Sequence, residues 1–142
     1  MAHYTGENYE RNRDIKDIAK AVRKDIKAAV KSGQLPKVKV SVRISRYSMG
    51  QSLTVEITET SYPIVTPAFV KALSEGDHCP ERYTPIAGRV LDAITETVNA
   101  YNYNRSVSMI DYYDVNFYAH VKYDADLRCD HMDKIKAHMG VN

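Results

Sequence analysis

The sequence predicts an α+β fold, a small antiparallel sheet of about three strands with helices packed on one face. Several segments have apolar residues at helical spacing, and three others alternate apolar and polar residues as strands do. The predicted element order is α-β-β-α-α-β, followed by a short C-terminal helix. Because each strand is apolar on one side only, we expect the helices to cover that side and the other side to face solvent.

The composition is that of one globular domain. The chain has 142 residues, of which 44% are hydrophobic and 27% charged, and a chain of this size can bury a core. We predict a flexible N-terminal tail over 1–11 and a single domain over 12–142. No apolar run approaches the ~20 residues of a membrane span, and the N-terminus lacks a signal-peptide core. The sequence therefore predicts a cytoplasmic protein, the host cell cytosol being its compartment, without membrane contact.

The first predicted element is a helix from about Asn12 to Ser32, and Gly33 is a typical helix stop. Its apolar residues recur every three or four positions and so share one stripe. Basic residues recur at the same spacing on another face, which we call the basic stripe. The apolar stripe comprises Ile15, Ile18, Ala19, Val22, Ile26, Ala29 and Val30, and the basic stripe comprises Lys16, Lys20, Arg23, Lys27 and Lys31.

A β-hairpin is predicted over residues 37–57, where "KVKVSVRISRYSMGQSLTVEI" alternates on both sides of Gly50. A two-residue Met49–Gly50 connection pairs Arg43 with Glu56 and Val42 with Ile57, which places every apolar side chain on one face. The opposite, polar face then holds Lys37, Lys39, Ser41, Arg43, Tyr47, Thr54, Glu56 and Thr58.

The second half of the chain predicts two helices, a strand and a short final helix. "TPAFVKALSEG" and "TPIAGRVLDAITETVNAYN" each open with a threonine N-cap followed by proline, a common helix start. Residues 102–114 are predicted to be irregular or a short edge strand. The final helix has Met132 and Ile135 inward. The third strand, "VNFYAHVKYD", has Asn116, Tyr118, His120 and Lys122 outward.

Charge is distributed unevenly along the chain. Residues 11–47 contain twelve Lys or Arg against three acids, a balance of +9, so the remainder carries −7 of the net +2. Such a split favours a basic face that attracts nucleic acid, nucleotide phosphates or an acidic protein. The alternative is that the two halves attract each other across the fold.

Two segments resemble a known family. "IAKAVRKDIKAAV", followed after a short gap by "KVSVRISRYSMGQSLTVEIT", is similar to the large polyvalent protein-associated domain (type twenty-nine) of phages and conjugative elements. The resemblance covers about residues 13–124 and is specific in the hairpin. It implies a setting, a phage or mobile element among genes that counter host defences, and no particular chemistry. The matching hairpin residues are Ser41, Val42, Arg43, Tyr47, Ser48, Gly50, Ser52, Val55 and Thr58.

The polar face of the sheet is the first candidate site. Cations interleaved with aromatic rings suit single-stranded nucleic acid, since the cations meet phosphates while the rings stack on bases. The alternative is ordinary solvated surface, because exposed strands commonly carry polar and charged residues. The predicted polyanion-binding residues are Lys37, Lys39, Arg43, Tyr47, Tyr118, His120 and Lys122.

Tyrosine is unusually frequent, with 11 Tyr and no Trp. Exposed tyrosines suit protein interfaces because they offer a large rigid surface and a hydroxyl. Tyr103, Tyr112 and Tyr113 are therefore predicted to contact a partner, either a second copy of the chain or another protein.

Metal binding and catalysis have weaker signals. "DHC" at 77–79 and "CDH" at 129–131 offer two thiols and two imidazoles, a set that zinc accepts, but free thiols on polar segments are the alternative, and we predict no metal and no cofactor. The P-loop, G-x-S-x-G and H-E-x-x-H motifs are missing from the sequence, and a lone strand histidine, His120, is the one candidate general acid or base.

These observations predict a non-enzymatic phage or mobile-element protein that acts by stoichiometric binding. Its leading predicted use is counter-defence, as an inhibitor of a host immune protein or by capture of a nucleotide signal. The alternative is direct nucleic-acid binding by the basic, tyrosine-containing sheet face. An enzyme acting on nucleotides or nucleic acid is a third hypothesis.

Overall fold

The predicted α+β class is confirmed. A computed structural model describes residues 4–48, 50–75, 82–106 and 114–139, and these contain four helices and two small sheets. None of the helices in this part of the chain is both long and apolar enough to cross a membrane. In chain order the elements are β1 (Tyr4–Thr5), α1 (Ile15–Ser32), β2 (Val38–Tyr47), β3 (Gly50–Thr60), α2 (Pro67–Glu75), α3 (Pro85–Asn99), β4 (Tyr103–Asn104), β5 (Tyr118–Tyr123) and α4 (Ala125–Met139).

Helix α1 forms where the apolar period predicts it, and local chemistry fixes both of its ends. The Asp14 side chain accepts a hydrogen bond from the Lys16 N–H at 3.2 Å and so caps the first turn. Gly33 ends the helix in a left-handed conformation (φ 86°), which glycine adopts without steric cost. The buried residues of α1 all belong to the predicted apolar stripe and are Ile15, Ile18, Ala19, Val22 and Ile26.

The main sheet has the strand order β2-β3-β5 and is mixed, whereas an antiparallel sheet was predicted. Strands β2 and β3 form the expected antiparallel hairpin, but β5 runs parallel to β3. The chain crosses over through α2 and α3 before it returns, and such a connection delivers a parallel strand. Strand β3 is central and separates the basic strand β2 from β5.

The hairpin register differs from the predicted one by two residues. Val42 lies opposite Val55 and Arg43 opposite Thr54, because Tyr47 rather than Ser48 is the last residue paired across the turn, with Gly50. A shift of two preserves the alternation, so the apolar side chains still share one face. The predicted contact between Arg43 and Glu56 is present at 2.7 Å as a diagonal pair.

The N-terminal segment, part of the predicted tail 1–11, pairs with the rest of the fold over residues 4–9. Strand β1 pairs antiparallel with β4. The Gly6 N–H donates to the Asn102 carbonyl at 2.7 Å and the Asn8 N–H to the Ala100 carbonyl at 2.8 Å. The segment has few apolar residues, so its attachment depends on backbone hydrogen bonds that no hydrophobic period reveals.

Asn102 joins this N-terminal region to the main sheet. Its side chain is 3% exposed. The amide group donates to the Phe117 carbonyl at 3.0 Å and accepts from the N–H groups of Phe117 (3.2 Å) and Tyr103 (2.9 Å). One buried side chain thus satisfies three backbone groups just before β5 begins.

The inward face of the sheet and the apolar sides of the helices form one core. Tyr123 is 1% exposed within it, and its hydroxyl donates to the Ala87 carbonyl at 2.8 Å. Because that bond uses its only proton, the Tyr62 hydroxyl is the donor in the 2.9 Å bond between the two tyrosines. Burial raises the pKa of Tyr123.

The C-terminal helix is longer than the predicted short helix, with 15 residues in α4. The predicted contacts Met132 and Ile135 are half-buried against the core. His131 adds a polar contact, because its Nδ1 accepts a hydrogen bond from the Ile64 N–H at 3.3 Å. Burial, and secondarily the charge of Lys134, lower the pKa of His131, while Asp130 opposes this effect.

This contact predicts that the protein is less stable at mildly acidic pH. A histidine whose pKa is lowered by folding is protonated first in the unfolded chain, so its contribution to stability is complete above the unfolded pKa of about 6.5 and is lost as the pH falls through the lower folded value. His131→Gln keeps an acceptor but does not titrate. We therefore expect its melting temperature to fall less between about pH 8 and pH 5 than that of the wild type.

Thermal denaturation followed by circular dichroism measures this difference. His120→Gln is the matched control, since His120 lies on the exposed face of β5. Identical pH profiles for His131→Gln and the wild type would contradict the prediction.

Candidate nucleic-acid interface

The outward face of the β2-β3-β5 sheet carries most of the predicted polyanion-binding residues. The register places them in rows across the three strands, and successive rows are about 7 Å apart. One row joins Arg43, Thr54 and His120. In these rows Arg43, Tyr118, His120 and Lys122 are exposed. We call this surface the open sheet face, and its rows are Tyr47–Gly50, Ser45–Ser52–Tyr118, Arg43–Thr54–His120 and Ser41–Glu56–Lys122.

Two tyrosines border Gly50 at one end of the open sheet face. Tyr47 is 48% and Tyr118 37% exposed. A Cβ atom added at Gly50 would lie 3.4 Å from Cε2 of Tyr118 and 3.6 Å from Cε2 of Tyr47. Both accessible rings thus lie within ordinary contact distance of the Gly50 position. The sequence predicted Gly50 only as a turn residue, and its position between the two rings depends on the strand order.

Glu56 lies between cations in the middle of the face. Its carboxylate is 2.7 Å from Arg43 Nη2 and 3.9 Å from Lys122 Nζ. The side chains of Arg43 and Lys122 remain 62% and 59% exposed. The Glu56 side chain is only 17% exposed, but both cations reach solvent, so a phosphate can approach either of them from outside.

Lys37 and Lys39 lie at the other end of the hairpin from the two tyrosines. They border an open cavity of about 230 Å³ that Glu59 and Ser61 also line. Lys39 Nζ is 3.4 Å from the Glu59 carboxylate, with both side chains 66% exposed. The formal charge of the face is +2 with His120 neutral. It is the sum of four predicted cations, Lys37, Lys39, Arg43 and Lys122, and two acids, Glu56 and Glu59.

The basic stripe of α1 runs beside β2, the edge strand of the sheet. Arg23 Nη2 donates to the Val42 carbonyl at 2.6 Å, and Arg46 of β2 pairs with Asp14 at the start of the helix. All five residues of the stripe are exposed, and within the described ranges none pairs with an acid of the C-terminal half. Residues three and four apart share a helix face, so the stripe adds positive charge along the β2 edge.

The predicted partner interface is only partly covered by the structure. Tyr103 is half-buried, and its ring packs edge-on against Tyr9 at 5.1 Å. Its hydroxyl donates to Asp114 at 3.1 Å, and the Arg105 guanidinium lies 4.8 Å from its ring. Tyr103 is thus engaged within the chain. Tyr112 and Tyr113 lie outside the described residues.

The zinc alternative has no support among the residues that the structure describes. No cluster of three or more His, Cys, Asp or Glu suited to a metal occurs among the described residues. Cys129 is exposed, and Nδ1 of His131 is occupied by the Ile64 N–H. His78 and Cys79 lie outside the described ranges.

Comparisons with known proteins gave no match to a family model, a curated protein or a solved structure. The resemblance of the hairpin to the phage-associated domain therefore stays a prediction.

Proposed function

We propose that this protein binds single-stranded nucleic acid stoichiometrically on the open sheet face. The observation that carries the proposal is the pair of exposed tyrosines beside Gly50, on the same face as Arg43, His120 and Lys122. An accessible aromatic ring stacks on any base, and base–aromatic stacking contributes about 1–3 kcal/mol per base. An exposed sheet face presents such rings to unstacked bases, which a duplex does not offer.

The charges on the open sheet face favour a path for the nucleic-acid strand that runs from the two tyrosines toward Lys122 and Lys39. Phosphates attract cations at a distance, and the basic stripe beside β2 enlarges the attracting surface. Glu56 holds Arg43 and Lys122 in the free protein. A phosphate would approach these two cations from the solvent side and add charge-assisted contacts while Glu56 keeps its own.

Counter-defence, the use that the resemblance implies, stays a prediction about the setting of this binding. A protein that covers single strands or nucleotide phosphates withholds them from a host protein that needs them. Because the proposal concerns binding alone, it requires no catalytic residue, and His120 enters it only as an exposed contact.

Salt dependence of binding to a labelled oligonucleotide tests the proposal. We expect fluorescence anisotropy with a single strand of about 12 nucleotides to give an affinity that falls steeply between about 50 and 300 mM salt, with a slope of about −0.7 per phosphate contact. Lys122→Gln removes one cation from the face. It should therefore make the slope shallower by about 0.7, the amount expected for one phosphate contact.

Lys71→Gln is the matched control, because Lys71 is an exposed lysine on α2 rather than on the sheet. Unchanged anisotropy of single-stranded DNA and RNA at about 50 mM salt would overturn the proposal, as would equal effects of Lys122→Gln and Lys71→Gln.

A further inference from the structure

A cavity of about 300 Å³ lies away from the open sheet face, between α2 and α4. Its walls are mostly apolar and include Val65, Phe69 and Met132. Two arginines, Arg82 and Arg128, also line it. A cavity of this volume is at the lower end of the range for small-molecule sites, about 300–1,000 Å³.

Arg82, an exposed residue that lines the cavity, lies beside two aromatic rings. Its guanidinium carbon is 5.2 Å from the Phe69 ring centre and 6.0 Å from that of Tyr83. Cation–π contacts of this kind use the face of the guanidinium. They leave its N–H edges available to an acceptor, and no carboxylate of the described residues lies within 4.0 Å of it.

Arg128 also lines the cavity, and its side chain carries a buried donor without a partner. Its Nε atom is buried and has no hydrogen-bond partner among the residues that the structure describes. A buried donor without a partner costs about 1–3 kcal/mol, so native proteins rarely contain one. Because this atom is not accessible to solvent, a ligand in the cavity reaches it only after the Arg128 side chain moves.

We propose that this cavity binds a small carboxylate attached to an apolar body. The two guanidinium groups match a carboxylate, which accepts hydrogen bonds through both oxygens. The apolar walls take the rest of the molecule out of water, and the volume limits it to a compact aromatic or short aliphatic acid. This site is independent of the nucleic-acid interface.

Cys129 provides a direct readout of occupancy, since it is exposed and lines the cavity. In a Cys79→Ser background it is the only thiol, because the chain has two cysteines. We expect 4-phenylbutyrate to slow alkylation of Cys129 by iodoacetamide in a saturable way, with weaker protection by 4-phenylbutanol or by inorganic phosphate. Mass spectrometry of the modified protein gives the rate.

Two arginine variants then test which groups hold the carboxylate. Arg82→Gln removes the stacked guanidinium, and Arg128→Lys keeps the charge but removes the planar guanidinium that matches a carboxylate; each should weaken protection about tenfold. Arg105→Gln is the matched control, an arginine over a tyrosine ring elsewhere in the chain. Equal protection by 4-phenylbutanol, no protection by 4-phenylbutyrate, or unchanged protection in both cavity variants would overturn the proposal.

Discussion

Asn102→Ala is expected to lower the free energy of unfolding by about 3–5 kcal/mol, a large part of the 5–15 kcal/mol typical of a domain. The substitution leaves the N–H and carbonyl of Phe117 and the N–H of Tyr103 without their side-chain partner. Phe117 is 1% exposed, so water does not reach its N–H and carbonyl without local opening. Urea denaturation followed by circular dichroism measures the loss.

Asn116→Ala is the matched control for this prediction. Asn116 is half-buried, and its side-chain amide donates to one carbonyl, that of Tyr101, at 3.2 Å. Loss of one such bond is expected to cost about 0.5–1.5 kcal/mol. A loss in Asn102→Ala that is no greater than in Asn116→Ala would show that the three backbone groups find other partners.

The double variant Tyr47→Ala/Tyr118→Ala is expected to weaken binding of a single-stranded oligonucleotide by about 100-fold, since each stacked base is worth about 1–3 kcal/mol. Both rings are exposed and both border Gly50, so their removal changes the open sheet face and leaves the core intact. The salt slope should stay the same, because no cation is lost. Fluorescence anisotropy at several salt concentrations separates the two quantities.

Two controls show whether the aromatic rings of Tyr47 and Tyr118 are responsible for the loss of binding. Tyr47→Phe/Tyr118→Phe keeps both rings and should retain the affinity. Tyr4→Ala removes a tyrosine of similar exposure, 36%, at the N-terminal sheet, and should bind as the wild type does. If the phenylalanine variant binds as weakly as the alanine variant, the rings do not act by stacking.

Much of the candidate site follows from the alternation of residues 37–57. Alternation is a local property, so it identified the outward positions Arg43 and Tyr47 and the inward position Val55 without any knowledge of strand order. The same period in β5 identified Tyr118, His120 and Lys122 as outward. The membership of the open sheet face was therefore predictable residue by residue.

Its arrangement was not predictable from the same pattern. Pairing shifted by two residues satisfies the alternation equally well, which explains why the predicted Met49–Gly50 turn gave the wrong register for Val42. Strand neighbours are chosen by packing of the crossover helices, so the sequence did not reveal that β3 lies between Arg43 and His120. The cavity with Arg82 and Arg128 was missed for the same reason, since its walls come from distant segments.

The sequence by itself determined the α+β class, the apolar stripe of α1 and the two-sided character of each strand, because these depend on periods within a single element. Only the tertiary structure decided the parallel pairing of β5, the exposure of the basic stripe beside β2 and the meeting of Tyr47 and Tyr118 around Gly50. The physical reason is that these features join segments far apart in the chain, and their relative placement is set by how the whole core packs.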